Sequence, residues 1–113
     1  MAKGNDYYLK KTLDEIEIIL KYSGKMSKED LDDNPVLLDA IVFRMIQMSE
    51  YMNNITEDFK KKYSNIEWNS IKGFRNRLVH SYGSVDLGFV YAAISVDIPK
   101  LKGDLGIILE NIK

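Results

Sequence analysis

The sequence predicts an all-α protein, a bundle of about five to six antiparallel helices. Apolar residues recur every three or four positions along nearly the whole chain, which is the spacing of helices that bury one face. No segment alternates apolar and polar residues between turn signals, as a half-buried strand would. Residue pairs typical of helix ends, such as Ser23-Gly24 and Asn34-Pro35, divide the chain into pieces of helical length.

The first helix is predicted from about Tyr7 to Ser23, and Gly24 supplies the stop expected at its C-terminus. Its apolar stripe consists of Leu9, Leu13, Ile16 and Leu20. A short acidic turn from Ser27 to Asp33 follows. Ser27 and Asp30 have the spacing of a capping box, with Asp in place of the usual Glu, so a helix start is expected there.

A long second helix is predicted after the clearest boundary in the sequence. Asn34 can cap this helix, and Pro35 suits its first turn, where a missing N–H costs nothing. Its inner face is predicted from residues that recur at steps of three and four, namely Leu38, Ile41, Met45, Met48, Met52 and Ile55. Methionines on such a stripe can line a ligand groove, but adaptable core or dimer packing explains them more simply.

The second half of the chain is predicted to form four further helices. Thr56 starts a short one, and the next runs from Ile66 to about Tyr82. Another covers Asp86 to Asp97, and Pro99 opens the last helix, which two glycines weaken. The residues predicted to face inward are Ile71, Phe74, Leu78, Leu87, Val90, Tyr91, Ile94, Leu101, Leu105, Ile108 and Ile112.

Length and composition restrict the kind of protein. A chain of 113 residues with 45% apolar and 29% charged residues predicts one globular domain, residues 1–113. No apolar run approaches the ~20 residues that span a bilayer, and no signal peptide is recognisable, so we expect a cytoplasmic protein without membrane contact. The absence of cysteine excludes disulfides and thiolate chemistry, and a single histidine argues against a metal site.

A formal net charge of −1 argues against a protein that coats nucleic acid nonspecifically. If the chain contacts RNA, it does so through a local patch. The run Lys60 to Lys62 is one candidate, although such a run is more simply a solvated helix end favoured by the helix dipole.

The segment Arg75-Asn76-Arg77-Leu78-Val79-His80-Ser81-Tyr82 contains the only histidine of the chain. Its guanidinium, amide, imidazole and phenol groups are those that hold a phosphate and move a proton beside it. On an ideal helix, Arg75 and Tyr82 are about 700° apart and share a face. His80 is about 140° from Arg75, so both reach one site only if the helix loosens near its end or a second copy contributes.

Two interpretations of this segment follow from its residues alone. An imidazole that exchanges protons near pH 7 and an arginine beside a phosphoryl oxygen meet the needs of RNA cleavage by the ribose 2′-OH. Alternatively, a histidine near a helix end favours the C-terminal dipole, and the arginines are ordinary exposed charges. The residues by themselves leave both open.

The same segment resembles the signature of HEPN-domain ribonucleases, in which an Arg and a polar residue precede a His after a short gap. It is similar, more narrowly, to the HepT toxins, whose signature adds a Tyr two positions after the His. The resemblance extends to Trp68 and residues 71–74 before the motif, to Val85-Asp86 and residues 97–101 after it, and to residues 38–41 and Arg44.

This resemblance implies a HEPN-type helical bundle in which Arg75 and His80 are the catalytic pair and Asn76 orients the pair or the substrate. It also implies a homodimer, an RNA substrate, and a cognate antitoxin that is a minimal nucleotidyltransferase. In the family the antitoxin transfers AMP from ATP to the motif tyrosine, here Tyr82, so the nucleotide is the partner's substrate. No metal and no cofactor of the chain itself is implied. Arg77 is either a surface charge or a phosphate contact.

The chain departs from the family pattern at two places. The long helix has Ser49-Glu50-Tyr51 where Gly-Glu-Ala is expected, and Tyr91 stands where a Trp is common. The bulkier Tyr51 affects helix packing or dimer geometry more than chemistry.

Besides a toxin ribonuclease, the sequence is compatible with two other functions. One is a non-catalytic module that recruits substrate or nucleotide to a separately encoded nucleotidyltransferase. The other is a plain helical dimerisation protein. The polar set formed by Arg75, Asn76, His80 and Tyr82 favours the ribonuclease.

Overall fold

The computed structural model describes residues 3–80 and 83–112, and this part of the chain forms eight α-helices and one π-helical turn. The only β-type pairing in the same part is an isolated bridge between Val79 and Val85, so the all-α prediction is confirmed. The elements are α1 (Asn5–Ser23), α2 (Lys28–Asp32), α3 (Pro35–Asn53), α4 (Glu57–Lys62), α5 (Trp68–Lys72), α6 (Phe74–Leu78), α7 (Leu87–Ala92), the π-helical turn (Ala93–Asp97) and α8 (Ile98–Asn111).

Several of these elements join into longer rods. Only Gly73 separates α5 from α6, and α7, the π-helical turn and α8 follow one another without a break. The described helices therefore form six rods, in agreement with the predicted number of about five to six. No described helix is both long and apolar enough to cross a membrane.

The predicted helix starts are confirmed by their hydrogen bonds. The Ser27 hydroxyl accepts from the Asp30 amide, and the Asp30 carboxylate accepts from the Ser27 amide, each at 3.0 Å, which completes the capping box. The Asn34 side chain accepts from the Leu37 amide at 3.2 Å at the start of α3. Each contact satisfies an amide that the first helical turn leaves without an intrahelical partner.

The core lies between α1 and α3, which form the largest helix–helix contact, and α8 covers α1 on another side. All six residues predicted for the inner face of α3 and its end are buried, as are Ile71, Phe74 and Leu78. Other predicted inward residues pack against this core while only half-buried, and they are Leu13, Leu20, Leu87, Tyr91, Leu101 and Ile112.

The departures from the family pattern on α3 fit within this fold. Ser49 is buried, and its hydroxyl donates to the Ile46 carbonyl at 2.7 Å. Tyr51 is half-buried on an uninterrupted helix. A helix with these two residues therefore packs without a break.

The predicted opening of the last helix at Pro99 is confirmed to within one residue, because α8 begins at Ile98, although the chain stays helical across this boundary. The π-helical turn Ala93–Asp97 leads directly into α8, and Pro99 occupies the first turn of α8. A proline in the first turn needs no N–H for the bonds of its own helix. The two glycines of α8 are tolerated because Leu105 and Ile108 are buried and anchor the helix.

Candidate active site

The motif begins on α6, a short helix that two buried side chains hold in place. Phe74 and Leu78, four residues apart, face the core. Because side chains four residues apart share a helix face, the three residues between them point away from that face. Arg75, Asn76 and Arg77 are accordingly exposed side by side on the surface.

His80 lies in a tight reversal of the chain directly after α6. Val79 is extended and bridges Val85, while the Leu78 carbonyl accepts from the Asp86 amide at 2.8 Å. The His80 amide donates to the Ser84 carbonyl at 2.7 Å, and the His80 carbonyl accepts from the Gly83 amide at 2.8 Å. The backbone of His80 is thus held on both sides, while its side chain is exposed.

The predicted helix from Ile66 to Tyr82 is wrong at its C-terminal end, since α6 stops at Leu78. The physical reason is that the backbone groups of Leu78 and His80 bond to residues 84–86 rather than to the preceding turn. Gly83 makes the reversal possible through its φ of 92°, a conformation that other residues adopt at a cost. The loosening that the sequence required for a common site of Arg75 and His80 is therefore present.

A shared helix face of Arg75 and Tyr82 would need a helix that continues to Tyr82, whereas α6 ends at Leu78. Tyr82 itself lies outside the described residues. Its proximity to His80 follows only from its position two residues later in the chain.

The side chains of Arg75 and Asn76 are open to a ligand. Within residues 3–80 and 83–112, no hydrogen bond or ion pair engages either side chain. A guanidinium and a carboxamide on the surface can together donate several hydrogen bonds to phosphate oxygens. The third proposed site residue is His80, which lies beyond the end of α6.

Arg77 has a different environment from Arg75. Its guanidinium lies 4.3 Å from the centroid of the Phe89 ring, within the range of a cation–π contact. Phe89 in turn packs edge-on against Phe74, with ring centroids 5.4 Å apart. Arg77 is therefore tied to α7 and is not a freely solvated charge.

A cleft of about 300 Å³ opens beside Arg77, between the α5–α6 rod, the α7–α8 rod and α3. Its floor is apolar and consists of Met48, Ile66, Ile71, Phe74, Phe89, Ile98 and Leu101. Its rim is polar and consists of Glu67, Ser70, Arg77, Asp97, Lys100 and Asp104. Apart from Arg77, none of the rim residues was predicted to belong to a site.

One ion pair is part of this rim. The Lys100 ammonium lies 2.8 Å from the Asp104 carboxylate, one helical turn along α8. The hydrogen bond to Asp104, together with the charge of that carboxylate, raises the pKa of Lys100. Their i,i+4 spacing was the one sequence signal that pairs them, but only the tertiary structure places them in the lining of a cleft together with Glu67 and Ser70.

The lysine run at the end of α4 does not form a uniform patch. Lys60 is buried and lies 3.5 Å from Glu57, while Lys62 lies over the ring of Tyr63 at 5.5 Å from its centroid. Lys61 is exposed. These contacts are those of a basic helix end.

Among the described residues, no three histidine or carboxylate side chains come together as metal ligands. The candidate active site thus consists of Arg75 and Asn76 on α6, His80 at the chain reversal, and the neighbouring cleft with Arg77 at its edge.

The sequence is similar to known proteins along nearly its whole length. The profile of the family described as Ribonuclease HepT-like matches residues 12–106. A protein of Caldanaerobacter subterraneus subsp. tengcongensis, named provisionally as an RNase, is 31% identical over 94% of this chain and 95% of its own length. A protein of Thermococcus cleftensis, named provisionally as ribonuclease HepT, is 28% identical over 91% of this chain and 94% of its own length.

A further relative is longer than this chain. It comes from Methanocaldococcus jannaschii, is named as a gamma-glutamylcyclotransferase and provisionally as an RNase, and is 32% identical over 99% of this chain. The chain spans only 50% of the length of that relative. No solved structure matches the chain significantly.

Proposed function

Because the chain belongs to the HepT-like ribonuclease family, we propose that it is the toxin of a toxin–antitoxin system and a metal-independent RNA endonuclease. The observation that carries this proposal is the placement of the motif. Arg75 and Asn76 are exposed without hydrogen-bond partners among the described residues, and His80 follows on a backbone held by the chain reversal. Exposed groups of this kind suit contact with a polymeric anion rather than burial in the protein core.

In the proposed reaction, the ribose 2′-oxygen attacks the adjacent phosphorus atom, and the bond from phosphorus to the 5′-oxygen breaks. His80 accepts the proton of the 2′-OH, and an imidazolium returns a proton to the departing 5′-oxygen. The products are a 2′,3′-cyclic phosphate and a 5′-OH end. Since the nucleophile belongs to the RNA, no metal-bound water is needed.

Arg75 is proposed to stabilise the charge that grows on the non-bridging phosphate oxygens, because a guanidinium donates two parallel hydrogen bonds to such oxygens. Asn76, its neighbour on α6, is proposed to orient the phosphate or the pair of catalytic groups. Both side chains are exposed and without hydrogen-bond partners among the described residues, so neither has to break such a contact before it binds substrate.

We further propose that the active unit is a homodimer in which the two motifs face each other across the space between the subunits. One chain contains a single imidazole, whereas the reaction uses a base at the 2′-oxygen and an acid at the 5′-oxygen. Two copies related by a twofold axis would supply both.

The activity is proposed to be neutralised by a nucleotidyltransferase antitoxin that transfers AMP from ATP to Tyr82. In this transfer the phenol oxygen forms a bond to the α-phosphorus, and pyrophosphate leaves. Because Tyr82 is two residues from His80 in the chain, the added phosphodiester would bring negative charge and bulk close to the imidazole. Phosphate of the RNA would then be repelled and sterically excluded.

Substitution of the motif residues tests the ribonuclease. We expect His80→Ala and Arg75→Ala each to lower the rate of RNA cleavage at least about 100-fold, the lower range for removal of a proton-transfer group or a preorganised charge. The measurements are gel-based cleavage in the presence of EDTA and growth on induction. Lys10→Ala, which removes an exposed cation from α1, is the matched control and should cleave normally.

Circular dichroism should show that all three variants keep their helical content. Unchanged cleavage in both motif variants would refute the catalytic assignment. If the purified wild-type chain cleaves no RNA but binds a nucleotidyltransferase tightly, the alternative of a non-catalytic recruitment module replaces the ribonuclease.

A further inference from the structure

The cleft beside Arg77 has no role in the chemistry proposed for Arg75 and His80. Its volume of about 300 Å³ is at the lower end of small-molecule sites, which suits a ligand of the size of a single base or nucleoside. Its apolar floor with a few polar groups at the rim is the usual composition of such a site. The cleft therefore requires its own explanation.

The charges of the rim indicate which part of a nucleotide it would take. Three carboxylates, Glu67, Asp97 and Asp104, line the cleft, while Lys100 and Arg77 are its only cations among the described lining residues. The formal sum is −1, and Lys100 is already paired with Asp104 at 2.8 Å. A phosphate would be repelled, whereas a neutral group that donates N–H bonds to carboxylates would be bound.

The entrance of the cleft carries a flat surface suited to aromatic rings. The Arg77 guanidinium lies over the Phe89 ring at 4.3 Å, and both residues line the cleft. Any unpaired base of single-stranded RNA can stack on a guanidinium plane or an aromatic side chain. A base at this entrance would have one stacking partner already held in place.

A second, independent feature of the wall is the π-helical turn Ala93–Asp97. It ends at Asp97, which lines the cleft together with the next residue, Ile98. Single π-helical turns within α-helices are rare and frequently occur at functional sites. Here the turn and the wall of the cleft share Asp97.

We propose that this cleft binds one unpaired base of the RNA substrate and thereby selects where the chain is cut. Guanine fits the polar groups of the rim best. Its Watson–Crick edge accepts at O6, as the Lys100 ammonium requires, and donates from N1 and N2, as the carboxylates require. The RNA is the substrate of the proposed function, so the proposal rests on that function in part. Binding of the isolated base does not depend on it.

Nucleoside titration tests the binding directly. The probes are guanosine and uridine at equal concentrations, and the signals are the NMR resonances of the Met48, Ile71 and Ile98 methyl groups on the cleft floor. We expect guanosine to shift these resonances in a saturable manner and more strongly than uridine. Equal shifts with both nucleosides, or none with guanosine, would overturn the proposal.

Asp104→Asn removes one acceptor with little change in shape. We expect it to weaken guanosine binding at least about fivefold, as for the loss of a hydrogen bond to a charged group. Glu17→Gln is the matched control, because Glu17 also lies 2.8 Å from a lysine, Lys102, but outside the cleft. Equal affinities in Asp104→Asn and the wild type would contradict the assignment of Asp104.

Cleavage of a randomised single-stranded RNA supplies the second measurement. Sequencing of the cut ends should reveal guanine at a constant distance from the cut in the wild type and in Glu17→Gln, and a weaker preference in Asp104→Asn. Cleavage without any base preference and without guanosine binding refutes the cleft proposal and leaves the ribonuclease standing. Guanosine binding without cleavage refutes the ribonuclease and leaves the base site standing.

Discussion

Glu15 is a carboxylate on the inner side of α1 that one arginine neutralises. Its side chain is 10% exposed, and both of its oxygens lie 3.4 Å from the same nitrogen of Arg44 on α3. Burial of a charge without a partner is costly, so the pair joins the two central helices. The sequence marked Arg44 only through its resemblance, because a contact across 29 positions arises from packing.

The variant Arg44→Met tests this contact. We expect a loss of about 1–3 kcal/mol in the free energy of unfolding, because the Glu15 carboxylate loses its partner inside the fold. The value lies below that of a fully buried pair, since the Arg44 side chain is 42% exposed and water screens it. Urea unfolding at neutral pH measures the change.

Lys102→Met is the control for this experiment. It breaks the exposed pair with Glu17, which should cost less than about 1 kcal/mol. Equal losses in the two variants would mean that Glu15 is not penalised for its burial.

At the scale of the element, the segment after α6 decides the site. Val79 pairs with Val85 in an isolated bridge, and Gly83 has a positive φ. The helix starts at Ser27 and Asn34 were predictable because a cap depends on residues three positions apart. The end of α6 was not predicted, because its hydrogen bonds go to residues that follow the turn and compete with a continued helix.

Gly83→Ala tests the importance of this turn. Apart from its chain neighbours, no described residue has a heavy atom within 4 Å of the site of the added Cβ, so the expected loss of about 1–2 kcal/mol comes from the backbone conformation. RNA cleavage should decrease as well, because the same turn holds the His80 backbone. Thermal unfolding and cleavage rates measure both effects.

Gly103→Ala provides the contrast, since Gly103 lies in α8 with open space around it. There the substitution should stabilise the protein by roughly 0.5–1 kcal/mol and leave cleavage unchanged. A Gly83→Ala variant that unfolds and cleaves like the wild type would show that the turn does not depend on glycine.

At the scale of the molecule, the helical rods bring α6, its following turn and the α7–α8 rod to one surface. α6 contacts α7, and α3 packs against both α5 and α6. The exposed motif residues and the cleft are consequently neighbours through Arg77, which belongs to both. The assembly with a second copy and with the antitoxin would use this same region in our proposal.

Native mass spectrometry tests the assembly and its regulation together. The protein without antitoxin should have twice the chain mass of 13.0 kDa. After incubation with the nucleotidyltransferase and ATP, each chain should gain the mass of one AMP, and fragmentation should locate it at Tyr82. Tyr82→Phe is the control and should remain unmodified and active.

A monomer at micromolar concentration would contradict the dimer. An adduct on a residue other than Tyr82, or no adduct, would contradict the proposed regulation.

The sequence by itself determined the helical class, most helix starts, the inner faces of the helices and the residues of the motif. The helical class, the helix starts and the inner faces depend on interactions between positions three to four residues apart, which the order of amino acids specifies directly, and the motif is a continuous run of the sequence. Only the tertiary structure decided that α6 ends before His80, that Arg77 rests on Phe89, and that Glu67 and Lys100 border one cleft. These features join residues distant in the chain, and their free energy depends on how whole helices pack.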